Sequence, residues 1–121
     1  MTELNHNDYD YFFKPCYKLW LEKNDGILGN GFFQLLDQIE KNGTITAAAE
    51  SMGMSYRTAW GKIKTVEKQC GMTLVVTKVG GTAGGGANLT PEASDLLQRF
   101  LRFRQDVENE IAKIFKRDFS E

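Results

Sequence analysis

Between Ser55 and Gln69 the chain reads SYRTAWGKIKTVEKQ, and Arg57, Lys62, Lys64 and Lys68 fall within that one run. Guanidinium and ammonium groups donate hydrogen bonds and accept none, so the chemistry open to them is recognition of an anion. The surrounding charge points the same way. Residues 54–90 hold five Lys/Arg against one Asp/Glu, whereas residues 1–53 hold four against eight and residues 91–121 six against seven. A basic middle between acidic flanks implies an anionic partner for the middle, although the whole chain carries a net charge of only −1.

Other chemistries find little support. His6 is the only histidine, and Cys16 and Cys70 stand apart without CxxC spacing, so no metal site is expected and both thiols are read as reduced. No nucleophile stands beside a base. Asp106 and Glu110 share a helical face but read as solvation of a long helix. The run GGTAGGG (Gly80–Gly86) lacks the GK[ST] ending of a phosphate loop and carries no lysine. An enzyme is therefore not expected, with no catalytic residue and no cofactor. No apolar run approaches the roughly 20 residues that span a bilayer, and the N-terminus lacks a signal core, so a cytoplasmic protein with no membrane partner is expected.

The 121 residues fit one domain. Residues 1–15 read as a flexible arm. Tyr17–Glu22, the turn KNDG and Ile27-Leu28 read as a β-hairpin. Phe32, Leu35, Leu36 and Ile39 recur at helical spacing, which predicts a helix from Gly31 ended by Asn42-Gly43. Hydroxyls at Thr44 and Thr46 can cap a short helix, from Ala47 to about Met52. Gly53 can close that helix in the left-handed conformation, and Ser55 can cap the next. Two capped helices joined by so few residues make a helix-turn-helix.

At 100° per residue the second helix, Ser55 to Gln69, turns Ala59, Ile63, Val66 and Cys70 to the core. Arg57, Gly61, Lys64 and Lys68 lie opposite. The exposed ridge is basic, with a glycine where no side chain keeps a partner away. Leu74–Val79 then reads as a strand, Gly80–Gly86 as a loop and Ala87–Leu89 as a returning strand, together a wing. Thr90-Pro91 opens a helix running to about Lys116. Its stripe of Leu96, Phe100, Phe103, Val107, Ile111 and Ile114 is too long to cover a three-helix domain, and a second copy is the simplest cover.

The run Ala48–Val75, with Met54-Ser55-Tyr56-Arg57, Ala59-Trp60, the Gly80–Gly86 loop, Leu89-Thr90 and the hairpin Leu19–Gly31, resembles the N-terminal DNA-binding domain of ModE-type regulators within the LysR-type winged helix-turn-helix proteins. The resemblance implies a dimeric transcription regulator. The helix after the turn would enter the major groove, the wing would meet phosphate or minor groove, and the last helix would build a homodimer. Full-length members carry molybdate-binding domains, and nothing of that kind is carried over here. The expectation is a standalone regulator, with a separate sensor or partner protein left open. The wing departs from the family in its scarcity of charge, with only Lys78 nearby.

The fold expected is mainly α with small β: an arm at 1–15, a winged helix-turn-helix with N-terminal hairpin at 16–90, and a long C-terminal dimerisation helix at 91–121. The partner expected is double-stranded DNA. Arg57 is the first candidate for reading a base, since its fork matches guanine O6 and N7. Tyr56 and Thr58 follow. Lys62, Lys64 and Lys68 suit phosphate, Gly61 leaves room, Ser55 and Thr46 sit at helix starts, and Lys78 serves the wing. Trp60 is read as a wedge between the second helix and the wing. The competing reading is a protein-interaction module on the same scaffold without DNA binding.

Overall fold

The computed structural model describes residues 13–79 and 85–119. Among these residues two short antiparallel hairpins flank three helices, and a fourth, long helix follows: β1 (Trp20–Lys23), β2 (Gly26–Gly29), α1 (Asn30–Asn42), α2 (Ile45–Ser51), α3 (Tyr56–Cys70), β3 (Val75–Thr77), β4 (Ala87–Leu89) and α4 (Pro91–Phe119). The residues group into two compact units. One is Leu19–Phe100; the described residues of the other are 13–18 and 101–119. His6, residues 1–12 of the expected arm and Gly80–Gly84 of the expected wing loop lie outside the described residues.

In the first unit, β1 and β2 pair with Trp20 opposite Gly29 and Lys23 opposite Gly26, leaving Asn24-Asp25 as a two-residue turn. Asn24 takes φ 54°, a left-handed conformation that Asn adopts more readily than most residues. Its Nδ2 donates to the Cys70 carbonyl at 3.2 Å, satisfying an orphan acceptor at the end of α3. The adjoining Gly26 is buried against Cys70, and a Cβ there would run into the Cys70 Sγ while lying 3.2 Å from its backbone nitrogen. Gly26→Ala is therefore expected to lower stability by about 1–3 kcal/mol through overpacking. Chemical denaturation checks this. Cys70→Ala should recover part of the loss, and full stability of Gly26→Ala alone would show that the turn yields freely.

The corner between α2 and α3 follows the capping logic. Thr44 Oγ1 accepts from the Ala47 amide at 3.0 Å, so α2 starts at Ile45, two residues ahead of the expected start. Gly53 has φ 70°, which reverses the chain after α2. Ser55 is extended at φ −76°, ψ 159° and its hydroxyl accepts from the Thr58 amide at 3.1 Å. On α3 the buried residues are Ala59, Ile63, Val66 and Cys70, the set the wheel assigned. On α1 the buried aromatic is Phe33 rather than Phe32, because Phe33 stacks on Phe100 with centroids 4.0 Å apart.

Pairing of Val75 with Leu89 and of Thr77 with Ala87 builds the base of the wing. The Ala87 amide donates to the Gly43 carbonyl at 2.8 Å, which fastens the wing to the α1–α2 corner. Thr90 Oγ1 donates to the Thr73 carbonyl and accepts from the Ala93 amide, so one hydroxyl holds the segment that leads into β3 and caps α4.

Phe100 corrects one expectation. Helical spacing put it on the partner-facing stripe of α4, but it is 1% exposed and packs on Phe33 inside the first unit. Beyond it no described side chain of α4 is buried: Phe103, Ile114 and Phe119 are 48%, 44% and 43% exposed, and Val107 and Ile111 are half-buried. In the second unit Phe115 stacks on Phe119 at 4.5 Å.

Candidate nucleic-acid interface

The capped start of α3 holds Arg57 clear of the protein. Ser55 fixes the first turn, Ala59 and Ile63 press the opposite face into the core, and Arg57 points to solvent two residues after the cap. Among the described residues, Arg57, Lys62 and Lys68 are exposed and make no hydrogen bond or ion pair. Their donors are left for a partner.

The structure brings seven of the expected residues together in two depressions, while Ser55, Lys64 and Lys68 line neither. A groove of about 580 Å³ gathers Arg57, Thr58, Gly61 and Lys62 with the apolar Ile27, Phe32, Met52 and Met54. A cleft of about 300 Å³ gathers Thr46 and Tyr56 with Thr77, Lys78 and Gly86 of the wing base. The starts of α2 and α3 thus open beside the wing. Tyr56 is 49% exposed there, so its ring and hydroxyl remain accessible.

Three residues differ from their expected environment. Lys64 is not free: its Nζ lies 3.1 Å from Glu67 Oε1 and 5.3 Å from the centroid of the Trp60 ring. Trp60 is 41% exposed beneath that ammonium and does not sit as a buried wedge. Thr58 has its hydroxyl engaged, accepting from Ser55 Oγ at 3.0 Å. Lys78 is exposed, while its amide donates to the Gly86 carbonyl at 2.9 Å.

One participant escaped the sequence reading. Glu67 Oε2 accepts from the amides of Leu74 and Val75 at 2.8 and 3.0 Å, joining α3 to the strand that starts the wing. Its signal was present as the lone acid in the basic stretch, seven residues before Leu74. Spacing along a helix does not reveal a bond to a strand beyond its end.

Comparison with known proteins bears on the fold and the family. A molybdenum transport protein ModE from Herbaspirillum seropedicae is 41% identical over 70 residues, covering 58% of this chain and 26% of that protein. The molybdenum-pterin-binding protein MopB of Rhodobacter capsulatus is 35% identical over 80 residues, 66% of this chain and 30% of its own length. The DNA-binding transcriptional dual regulator ModE of Escherichia coli K12 is 36% identical over 66 residues, 54% of this chain and 25% of its own. The chain thus spans about a quarter to a third of the length of the curated relatives it matches. The crystal structure of ArgP from Mycobacterium tuberculosis shares the fold at a TM-score of 0.52 and 22% identity, over 68% of this chain and 29% of that one. The model of the bacterial regulatory helix-turn-helix proteins of the lysR family matches residues 32–94, from α1 through the wing to the start of α4. With that match over more than half of its length, the chain belongs to the lysR family of bacterial regulatory helix-turn-helix proteins.

Proposed function

We propose that this chain binds double-stranded DNA sequence-specifically as a transcriptional regulator in the cytoplasm, with α3 in the major groove and the wing on the flanking backbone. The observation that carries the reading is the set of cations on α3, Arg57, Lys62 and Lys68, exposed and without a hydrogen-bond or ion-pair partner among the described residues, beside a capped corner and a wing base. A helix of this kind fits the major groove and presents its first turns to base edges. Arg57 reads guanine, Lys62 and Lys68 meet phosphate, and Tyr56, Thr46 and Lys78 line the cleft where the wing approaches the backbone. Gly61 lets the groove wall come close.

The chain acts as a homodimer through α4. Phe103 and Ile114, about half exposed, with half-buried Val107 and Ile111, form the stripe that a second copy covers. Leu96 stands at its start, and Phe100 no longer belongs to it.

Binding of the purified protein to mixed duplex fragments across a salt series tests the reading. Log affinity should fall steeply with log salt, and Lys62→Ala/Lys68→Ala should make the slope shallower by about 1.8, the effect of two lost phosphate contacts. Absence of binding at about 50 mM salt, where even non-specific contacts are strong, would overturn it.

A further inference from the structure

Glu67 is the single acid between Met54 and Thr90, and both of its oxygens are engaged. Oε2 takes the two amides that lead into and open β3, and Oε1 holds the Lys64 ammonium. The Glu67 side chain is 11% exposed and that of Lys64 45%, so water screens the pair less than it would one standing fully in solvent. The Trp60 ring lies under the same ammonium. Lys64 is therefore drawn along its own helix from two sides, while Arg57, Lys62 and Lys68 have no such hold among the described residues.

We propose that Glu67 is a positioning residue for DNA binding: it ties the wing strand to the recognition helix and withholds Lys64 from phosphate. The inference rests on the DNA-binding reading above. Phosphate contacts add affinity to every sequence alike. A helix that offers one lysine fewer to the backbone binds every sequence more weakly and with a shallower salt dependence, so a larger share of its specific binding comes from base contacts while the ratio of specific to non-specific affinity is unchanged. The same carboxylate keeps the wing base at a fixed place beside α3, through charge-assisted bonds to two amides.

Glu67→Gln separates the two tasks. The amide oxygen can still accept from Leu74 and Val75, but its NH2 faces the Lys64 ammonium as donor against donor. On non-specific duplex, the slope of log affinity against log salt should steepen by about 0.9, so affinity falls about 3.5-fold further between 50 and 200 mM salt. Lys64→Ala in the Glu67→Gln background should return the slope to that of the wild type. Lys64→Ala alone, at an exposed position that leaves the core untouched, should leave the wild-type slope unchanged. Hydrogen exchange at the Leu74 and Val75 amides should stay slow in Glu67→Gln and quicken in Glu67→Ala.

An unchanged slope in Glu67→Gln overturns the inference. So does a steeper slope that survives Lys64→Ala, since Glu67 would then act through its own charge. A slope made shallower by Lys64→Ala alone overturns it as well, by showing that Lys64 already reaches phosphate. In each of these cases the wild type still binds DNA. If the wild type itself fails to bind, the DNA-binding reading falls and this inference with it.

Discussion

Phe100→Ala should destabilise the first unit by about 3–5 kcal/mol, the range for emptying a buried aromatic site. Phe100 is 1% exposed and Phe33 is fully buried, with their rings nearly parallel at an interplanar angle of 12°. The stack joins α1 to α4. A domain of this size has roughly 5–15 kcal/mol of stability in total, so the variant would stand near unfolding. Denaturant midpoints at several protein concentrations check the claim, because a core loss is present at every concentration, whereas an interface loss scales with association. Ile114→Ala is the contrast. It should weaken association measured by sedimentation and leave the midpoint of the dilute protein nearly unchanged. If Phe100→Ala instead kept its stability and lost only association, the residue would belong to the dimer stripe after all.

That contrast shows where helical periodicity informs and where it stops. On α3 the wheel separated Ala59, Ile63, Val66 and Cys70 from Arg57, Gly61, Lys64 and Lys68, and burial follows the same division. The caps were legible too, since Thr44, Ser55 and Thr90 each accept from an amide of the first turn. These signals are local: a residue's side is set by its angle, and a cap by its neighbours. The errors arose where a distant element decides. Phe32 lies in line with Leu35, Leu36 and Ile39 on the wheel of α1 and Phe33 well to one side, yet it is Phe33 that the ring of Phe100 buries. On α4 the stripe is continuous from Leu96 to Ile114, yet its first part packs within the domain and its later part does not. Lys64 lies on the basic ridge by angle, but Glu67 one turn later captures it, and Glu67 is itself placed by amides of β3. Local pattern thus recovered the elements and the exposed face of the candidate interface, while its charge balance depended on a contact between helix and wing.

The sharpest consequence for recognition concerns Arg57. Replacing it with Ala should reduce discrimination at one base pair of the operator by about 1–3 kcal/mol, roughly 5- to 150-fold. The fold should survive, because Arg57 is exposed and has no hydrogen-bond or ion-pair partner among the described residues to leave stranded. Arg57→Lys is the more telling variant. It keeps the positive charge but not the planar fork that meets guanine O6 and N7 together. Its salt slope should therefore match the wild type while its preference at that base pair is lost. Competition binding against single-position operator variants, at a fixed salt concentration, measures this directly. Lys68→Ala should behave in the opposite way, weakening all sequences alike and flattening the slope by about 0.9. If Arg57→Ala retained full discrimination, the residue would be at most a phosphate contact like its neighbours, and base reading would have to come from Tyr56 or Thr58. Of those two, Tyr56 is 49% exposed, while Thr58 Oγ1 already accepts from Ser55 and has only its O–H and one further lone pair to offer a base.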